Sequence, residues 1–351
     1  MKIVIFGLSI SSSWGNGHAT LWRGLIKALA RRGHDVVFYE RDTDYYRNNR
    51  DIQRLDDCRL EIYPDWVTVK AKARDDLASA DVGVVTSYCA DGIAAGQEVC
   101  DGDCIRAFYD LDTPVTLFNL ERNGSVPYIG PNGLRDFDVV FSYTGGEALT
   151  RLKRDLGARH VVPLYGSVDP ESYQPVSGNN VAGLSYLGTY AADRQDKVER
   201  LFVEAARRRP YASFLLGGAQ YPQDFPWTDN MFFWRHVAPA YHPSFYASSR
   251  LTLNVTRSSM AALGYCPSGR LFEAAACGTP VISDTWEGLE NFFTPGSEIL
   301  PAETTDDVLS AIDLSAEQLK AIGRNARERT LAEHTAERRA AELESALERV
   351  N

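Results

Sequence analysis

Apolar residues follow two rhythms along the chain. Short unbroken runs have the length and β-branched content of buried strands: KIVIF (2–6), DVVFYE (35–40), LEIY (60–63), DVGVVTS (81–87), CIRAFYD (104–110), DVVFSY (138–143) and HVVPLYG (160–166). Between several of them the spacing becomes helical. In ATLWRGLIKALARRG (19–33), Leu21, Leu25, Ala28 and Leu29 share one face, and Gly33 is placed to end the helix in left-handed geometry. Further helices are expected near 69–79, 90–100 and 145–156. Strands alternating with helices predict a mostly parallel sheet covered on both faces.

The segment GSVDPESYQPVSGNN (166–180) breaks the rhythm with Pro, Gly, Ser and Asn and reads as a linker, its core at 169–180. A second series follows. LSYLGT (184–189), SFLLGG (213–218), MFFWRHV (231–237), LTLNVT (251–256) and TPVISD (279–284) are strand-like. DRQDKVERLFVEAARRR (193–209) and SGRLFEAAACG (268–278) are helix-like, and the tail from about 303 is helical, with 332–350 expected as one long helix. The expectation is an α/β chain of two Rossmann-like domains, 1–168 and 181–331, followed by a C-terminal helix, 332–351. Ligands in such sheets bind at the carboxyl ends of the strands.

Composition narrows the function classes. With 351 residues, 44% hydrophobic and 24% charged, the chain has material for two cores and is not a disordered polymer. A net charge of −10 disfavours general nucleic-acid binding, which needs clustered cations, but leaves room for a small phosphate ligand. No run approaches the ~20 apolar residues of a membrane span, and the apolar run after Lys2 is too short for a signal core. The six cysteines, Cys58, Cys89, Cys100, Cys104, Cys266 and Cys277, form no CxxC pair and are expected as reduced thiols of a cytoplasmic protein.

Candidate chemistry begins behind the first strand, in GLSISSSWGNGHATLWRGL (7–25). The dinucleotide fingerprint GxGxxG is absent, so NAD is not expected. Trp14, Gly15, Asn16 and Gly17 instead form a glycine-rich turn before His18, at the mouth of a helix. The helix N-terminus disfavours imidazolium, and a neutral imidazole is what a general base requires near pH 7. His18 serves either that purpose or as a cap for the loop. In FYDLDTPVTL (108–117), Asp110 and Asp112 end a strand on the same side; they are the reserve candidates for the base, or bind hydroxyls of an acceptor, or serve turn and capping roles. Without His or Asn support they are poor evidence for a metal, and none is expected.

The second half carries anion-binding features. In CPSGRLFEAAACGTPVISD (266–284), Ser268 is placed to cap a helix, Gly269 leaves its amides open, and Arg270 adds a guanidinium, a combination suited to a diphosphate. Glu273, an acid on an apolar helix, needs partners; a ribose diol would provide them, as would Ser268 or Arg270. In LGTYAADRQDK (187–197), Gly188 ends a strand, Asp193 is the expected N-cap, and Arg194 and Lys197 oppose the dipole of the helix they begin. A bound diphosphate would account for them, as would ordinary surface charge. Arg257, in NVTRSSM (254–260), follows a buried strand where a ligand cleft would lie.

Together these motifs resemble GT-B glycosyltransferases. RLFEAAACGTPVISD resembles the donor-site helix of the family-four-like enzymes, with Glu273 at the position that holds the nucleotide ribose; Tyr265 stands where their usual second Glu would be. WGNGHATLWRGLIKALARRGHDVVFYE resembles the N-terminal signature of glycosyltransferases of the murein and glycosyl-lipid type. Through LYGSVDPESY, LSYLGTYAADRQ, NVTRSSMAALGYCPSG and GLENFF the resemblance extends over nearly the whole chain to the CgeB-like glycosyltransferases. It implies two domains facing across a cleft, the first binding acceptor and the second a UDP-, dTDP- or GDP-sugar, with the last helix crossing back to the first. It implies no cofactor or metal. The expected role is sugar transfer to an acceptor hydroxyl. A nucleotide-sugar epimerase and a non-catalytic sugar-nucleotide-binding protein are the alternatives; the presence of His18, Arg270 and Glu273 together weighs against the latter.

Overall fold

A computed structural model describes residues 1–179 and 181–350. Asn180, the last residue of the expected linker, and Asn351, the last of the expected final helix, lie outside the described residues. The chain divides into two compact units, one formed by 1–165 together with the stretch from Ala336, the other by 166–335.

The first unit is built on seven strands: β1 (Lys2–Gly7), β2 (Asp35–Arg41), β3 (Arg59–Tyr63), β4 (Val82–Thr86), β5 (Ile105–Asp110), β6 (Val139–Ser142) and β7 (Val161–Pro163). They pair in the order β3-β2-β1-β4-β5-β6-β7, all parallel. Both faces are covered, which explains the unbroken apolar runs. Ile3 and Ile5 pack under the helix Gly17–Arg31 with Trp22, Leu25, Ile26 and Leu29, while Val4 and Phe6 pack on the other face with Val69, Ala73 and Val99. The C-terminal helix Ala336–Glu348 belongs to this unit and adds Ala340, Leu343 and Leu347 to the first cluster. Arg32 Nε and His34 Nε2 both reach Glu344 Oε1, at 2.8 and 2.5 Å.

The second unit has six strands: β8 (Ala182–Leu187), β9 (Phe214–Gly218), β10 (Met231–Arg235), β11 (Ser249–Asn254), β12 (Val281–Ser283) and β13 (Leu300–Pro301). Their order is β10-β9-β8-β11-β12-β13, again all parallel. Its core joins Leu184, Tyr186, Leu251 and Leu253 to Leu201, Phe202 and Val308.

Each sheet reverses its strand order once, between β1 and β4 and between β8 and β11, and a ligand crevice is expected at the carboxyl ends of those strands. The residues singled out from sequence sit there: His18 in the segment after β1, Gly188 after β8, Arg257 after β11.

Several elements differ from expectation. The helix Thr113–Asn123 was not foreseen; Asp112 stands at its N-cap position and Pro114 in its first turn, a start signal hidden inside an apolar run. The expected single helix at 332–350 is broken. Helix Ala316–Glu333 ends, His334 O accepts from Val168 N at 3.0 Å, Thr335 bridges Val168, and a new helix starts at Ala336. The strand expected through Val237 stops at Arg235, because His236 turns into left-handed geometry (φ 50°). The helix expected over 193–209 spans 192–208 and widens into a π-turn at Glu199–Val203. Asp193 lies inside its first turn, and Ala191 is the N-cap.

None of the six cysteines is in a disulfide. Among the described residues no helix is long and apolar enough to cross a membrane, and no group of three or more His, Cys, Asp and Glu could hold a metal ion.

Candidate active site

In the first unit, the turn before the long helix presents His18. Gly15 adopts φ 60°, and Asn16 is the N-cap, its Oδ1 accepting from His18 N at 3.1 Å. The capping task therefore falls to Asn16 and leaves the His18 ring for other use. His18 Nε2 lies 2.7 Å from Asp112 Oδ2. The carboxylate can only accept, so Nε2 carries the proton of a neutral ring and Nδ1 the lone pair. Nδ1 is buried and has no hydrogen-bond partner among the described residues. Trp14, Gly15 and Gly17 line the same turn; Trp14 is half-buried, and both glycines are exposed.

Asp110 lies beside this pair and is 0% exposed. Its Oδ1 accepts from Thr116 Oγ1 at 2.9 Å and from Asp112 N at 3.2 Å; Oδ2 has no partner. Burial pushes its carboxyl up to about 7, against the hydrogen bonds from Thr116 and Asp112. The Tyr88 ring stands edge-on to His18 with centroids 6.0 Å apart, and Tyr88 holds φ 62° directly after Ser87. The end of β5 and the segments that follow β1 and β5 thus bring together an imidazole with one buried, unpartnered nitrogen, a carboxylate on its other nitrogen and a second, buried carboxyl.

In the second unit, Gly188 is the meeting point of two arginines. A Cβ built there would stand 2.9 Å from Arg270 Nη1 and 3.2 Å from Arg194 Nη2. Arg270 donates to Leu187 O at 2.7 Å and to Ser268 Oγ at 3.2 Å. Arg194 donates to Thr189 O. Both guanidinium groups lie about the Tyr186 ring, 5.8 and 6.0 Å from its centroid. Neither has a carboxylate within 4.0 Å among the described residues, although Arg194 is only 8% exposed. Burial first, then the like charges of Arg270 and Arg257, lower the Arg194 pKa from its usual value. Two guanidinium groups thus meet with no carboxylate in direct contact, Glu273 acting on Arg270 only through its more distant charge. Gly269 opens the adjoining helix Gly269–Ala276, whose first amides add partial positive charge.

Ser268 is the N-cap by position, but its hydroxyl serves Arg270 and makes no capping bond. Lys197 is engaged elsewhere, donating to Asp284 Oδ2 at 2.7 Å; Asp284 is 1% exposed and also takes Thr256 N at 2.9 Å. Arg257 pairs with Asp193 through Nε, 3.1 and 3.0 Å from its two oxygens.

Glu273, 7% exposed, sits in a polar nest that sequence reasoning missed. Tyr246 OH is 3.4 Å from its Oε2 and His242 Nδ1 3.6 Å, and the Tyr173 hydroxyl is 3.1 Å from the same His242 nitrogen. Burial opposes its ionisation, but His242, Tyr173 and Arg270 outweigh burial and hold it below the usual carboxylate range. Tyr173 comes from the segment read as a linker, and His242 from an undistinguished PAYHPS stretch, so only an acid on an apolar helix announced the nest.

Residues 194–345 match the family model described as glycosyl transferase-like. No curated protein sequence matches the chain. Sucrose-phosphate synthase from Thermosynechococcus elongatus is similar in structure, with a TM-score of 0.70 at 16% identity over 100% of this chain and 99% of that one. HepE of Anabaena in complex with UDP and glucose gives 0.72 at 14% identity, covering 99% of each chain. An alpha-glucosyltransferase in complex with UDP and DNA gives 0.70 at 14%, also covering 99% of each. The α/β architecture with parallel sheets of 7 and 6 strands is the GT-B fold.

Proposed function

We propose that this chain moves a sugar from a nucleotide-diphosphate donor to an acceptor hydroxyl without a metal. The observation that carries the reading is the convergence of Arg194 and Arg270 on Gly188 with no carboxylate within 4.0 Å of either among the described residues. A diphosphate placed there meets two guanidinium forks and a helix N-terminus. As the glycosidic bond breaks, negative charge grows on the leaving diphosphate, and cations already in place stabilise it without reorganisation. The absence of a side chain at Gly188 lets the ligand approach the backbone. Arg257 adds positive charge nearby; Lys197 acts at one remove by holding Asp284. Glu273 accepts from the ribose diol.

His18 takes the acceptor proton at Nδ1, with Asp112 fixing the tautomer and steadying the imidazolium that forms. A base acting on the acceptor implies inversion at the anomeric carbon. Of the two acids, Asp112 orients acceptor hydroxyls; Asp110, expected for the same task, is fully buried and acts through Asp112, from whose N–H it accepts a hydrogen bond. UDP-, dTDP- and GDP-sugars are the donors to try, UDP first, since HepE and the alpha-glucosyltransferase are each described with UDP. The finer relationship we propose is to the CgeB-like enzymes, and six cysteines with no disulfide among them suit a reducing compartment, the cytoplasm.

A thermal-shift panel of UDP, GDP, dTDP, ADP and CDP against wild type and Arg270→Ala tests the reading. One diphosphate should raise the melting temperature of the wild type and lose its effect in the variant. No shift with any of them would reject the donor site.

A further inference from the structure

We infer that Glu40, at the end of β2, is the positioning residue that holds the His18 loop in its working geometry; this rests on His18 being the acceptor base. The loop from Leu8 to Asn16 has little regular backbone pairing, yet it must present one imidazole at a defined place. Glu40 is 0% exposed and gathers the loop around its carboxylate. Oε1 accepts from Ser9 Oγ at 2.9 Å and Ser11 Oγ at 2.5 Å, while Oε2 accepts from Ile10 N at 2.8 Å and Ser11 N at 3.0 Å.

The bonds continue to the helix. Asn16 Nδ2 donates to Ser9 O at 2.8 Å and Ser12 O at 3.0 Å, and Asn16 Oδ1 accepts from His18 N at 3.1 Å. From within the helix, Arg23 Nε donates to Ile10 O at 2.8 Å. The bonds of Asn16 to Ser9 O and Ser12 O and of Arg23 to Ile10 O thus tie the helix to residues bonded to Glu40 or directly adjoining them. A second carboxylate, Asp51, holds Ser13 and Arg23, but near the surface.

Four donors converging on one buried group call for an acceptor-only side chain with about four lone-pair sites, which a carboxylate provides. An amide has two acceptor sites and two donors. In Glu40→Gln the carbonyl can keep the two backbone N–H groups while the serine hydroxyls rotate to accept from the amide. In Glu40→Ala both N–H groups are left buried and unpaired. The conservative variant should therefore preserve what the truncation loses.

The test uses the full chain labelled with ¹⁵N-histidine. The His18 Nε2–H signal is identified by its loss in His18→Ala. It should persist in wild type and Glu40→Gln and disappear or broaden in Glu40→Ala, with the UDP-induced thermal shift retained in all three. Turnover of UDP-glucose should fall roughly 10²-fold in Glu40→Ala, the scale of a misplaced reacting group, with KM for UDP-glucose little changed. Should Glu40→Ala fail to fold, Ser11→Ala removes one of the four bonds and should give a several-fold loss of turnover. An unchanged His18 signal in Glu40→Ala, or wild-type turnover in a folded Glu40→Ala or Ser11→Ala, would overturn the inference. Wild-type turnover in His18→Ala would instead reject the base assignment, and the ring signal in Glu40→Ala would still decide whether Glu40 holds the loop.

Discussion

His18 and Asp112, 94 positions apart in sequence, meet at 2.7 Å through Nε2 and Oδ2, and the other ring nitrogen is left buried without a partner. That arrangement assigns the lone pair to Nδ1 and makes the dyad the first object to test. His18→Ala should lower turnover by roughly 10²–10⁴-fold while nucleotide affinity stays within a few-fold, as read by steady-state kinetics and calorimetry. Asp112→Asn should lower turnover too, by favouring the wrong tautomer. Unchanged rates in both variants would remove the dyad from the chemistry.

The two groups of cations in the second unit should behave differently. Arg270→Ala and Arg194→Ala should each weaken nucleoside-diphosphate binding by about 1.5–3 kcal/mol, the scale of a hydrogen bond to a charged group. Lys197→Met should chiefly lower the unfolding free energy, by roughly 1.5–3 kcal/mol, because it strands the buried Asp284. Titration calorimetry and urea unfolding separate the two, and equal affinity losses for Lys197 and Arg270 would contradict the division.

Glu273→Gln tests the ribose assignment. A weakening of diphosphate-nucleotide binding by about 1–3 kcal/mol is expected. If only the melting temperature moves, the carboxylate serves the Tyr173–His242–Tyr246 nest alone.

Asp110 predicts a pH dependence of stability. Its carboxyl is raised to about 7 in the folded unit, by burial above all, against an ordinary value of 3.8. Between those values the folded protein holds a proton that the unfolded chain has released, so stability falls as pH rises through this window and levels off above 7. Asp110→Asn should flatten the decline, visible in melting temperatures from pH 4 to 8. An equally steep decline in the variant would show that another group is responsible.

Glu344 gives the opposite sign. Arg32, then His34, hold its carboxyl down to about 2. Its contribution is present above the ordinary value of 4.5 and is lost as pH falls towards 2. Glu344→Gln should lower the melting temperature at pH 7 and lose its effect below pH 2; a variant as stable as wild type at pH 7 would show that the Glu344 carboxylate does not help to hold the final helix.

Much of the fold was legible because buried parallel strands leave an unmistakable trace. Apolar runs such as KIVIF and DVVFYE can only be covered on both faces, and Gly33 could only end a helix. Ser268, Gly269, Arg270 and Glu273 stood together within six residues, so the start of one helix drew attention to that place without any distant partner. Boundaries were less legible where a long-range contact decided them. His334 and Thr335 leave the helix because Val168 pairs with them, and nothing local in AEHTAERR says so.

Local chemistry therefore determined the elements, their parallel arrangement and the residue types able to bind a diphosphate or move a proton. Only the tertiary structure decided which of those residues work together. It took Lys197 to Asp284 and Arg257 to Asp193, left Arg194 and Arg270 with no carboxylate in direct contact, and brought Asp112 to His18 and Glu40 to the loop before it. The reason is physical: a charged side chain is defined by its partner, and partners in a doubly wound sheet come from strand ends far apart in sequence.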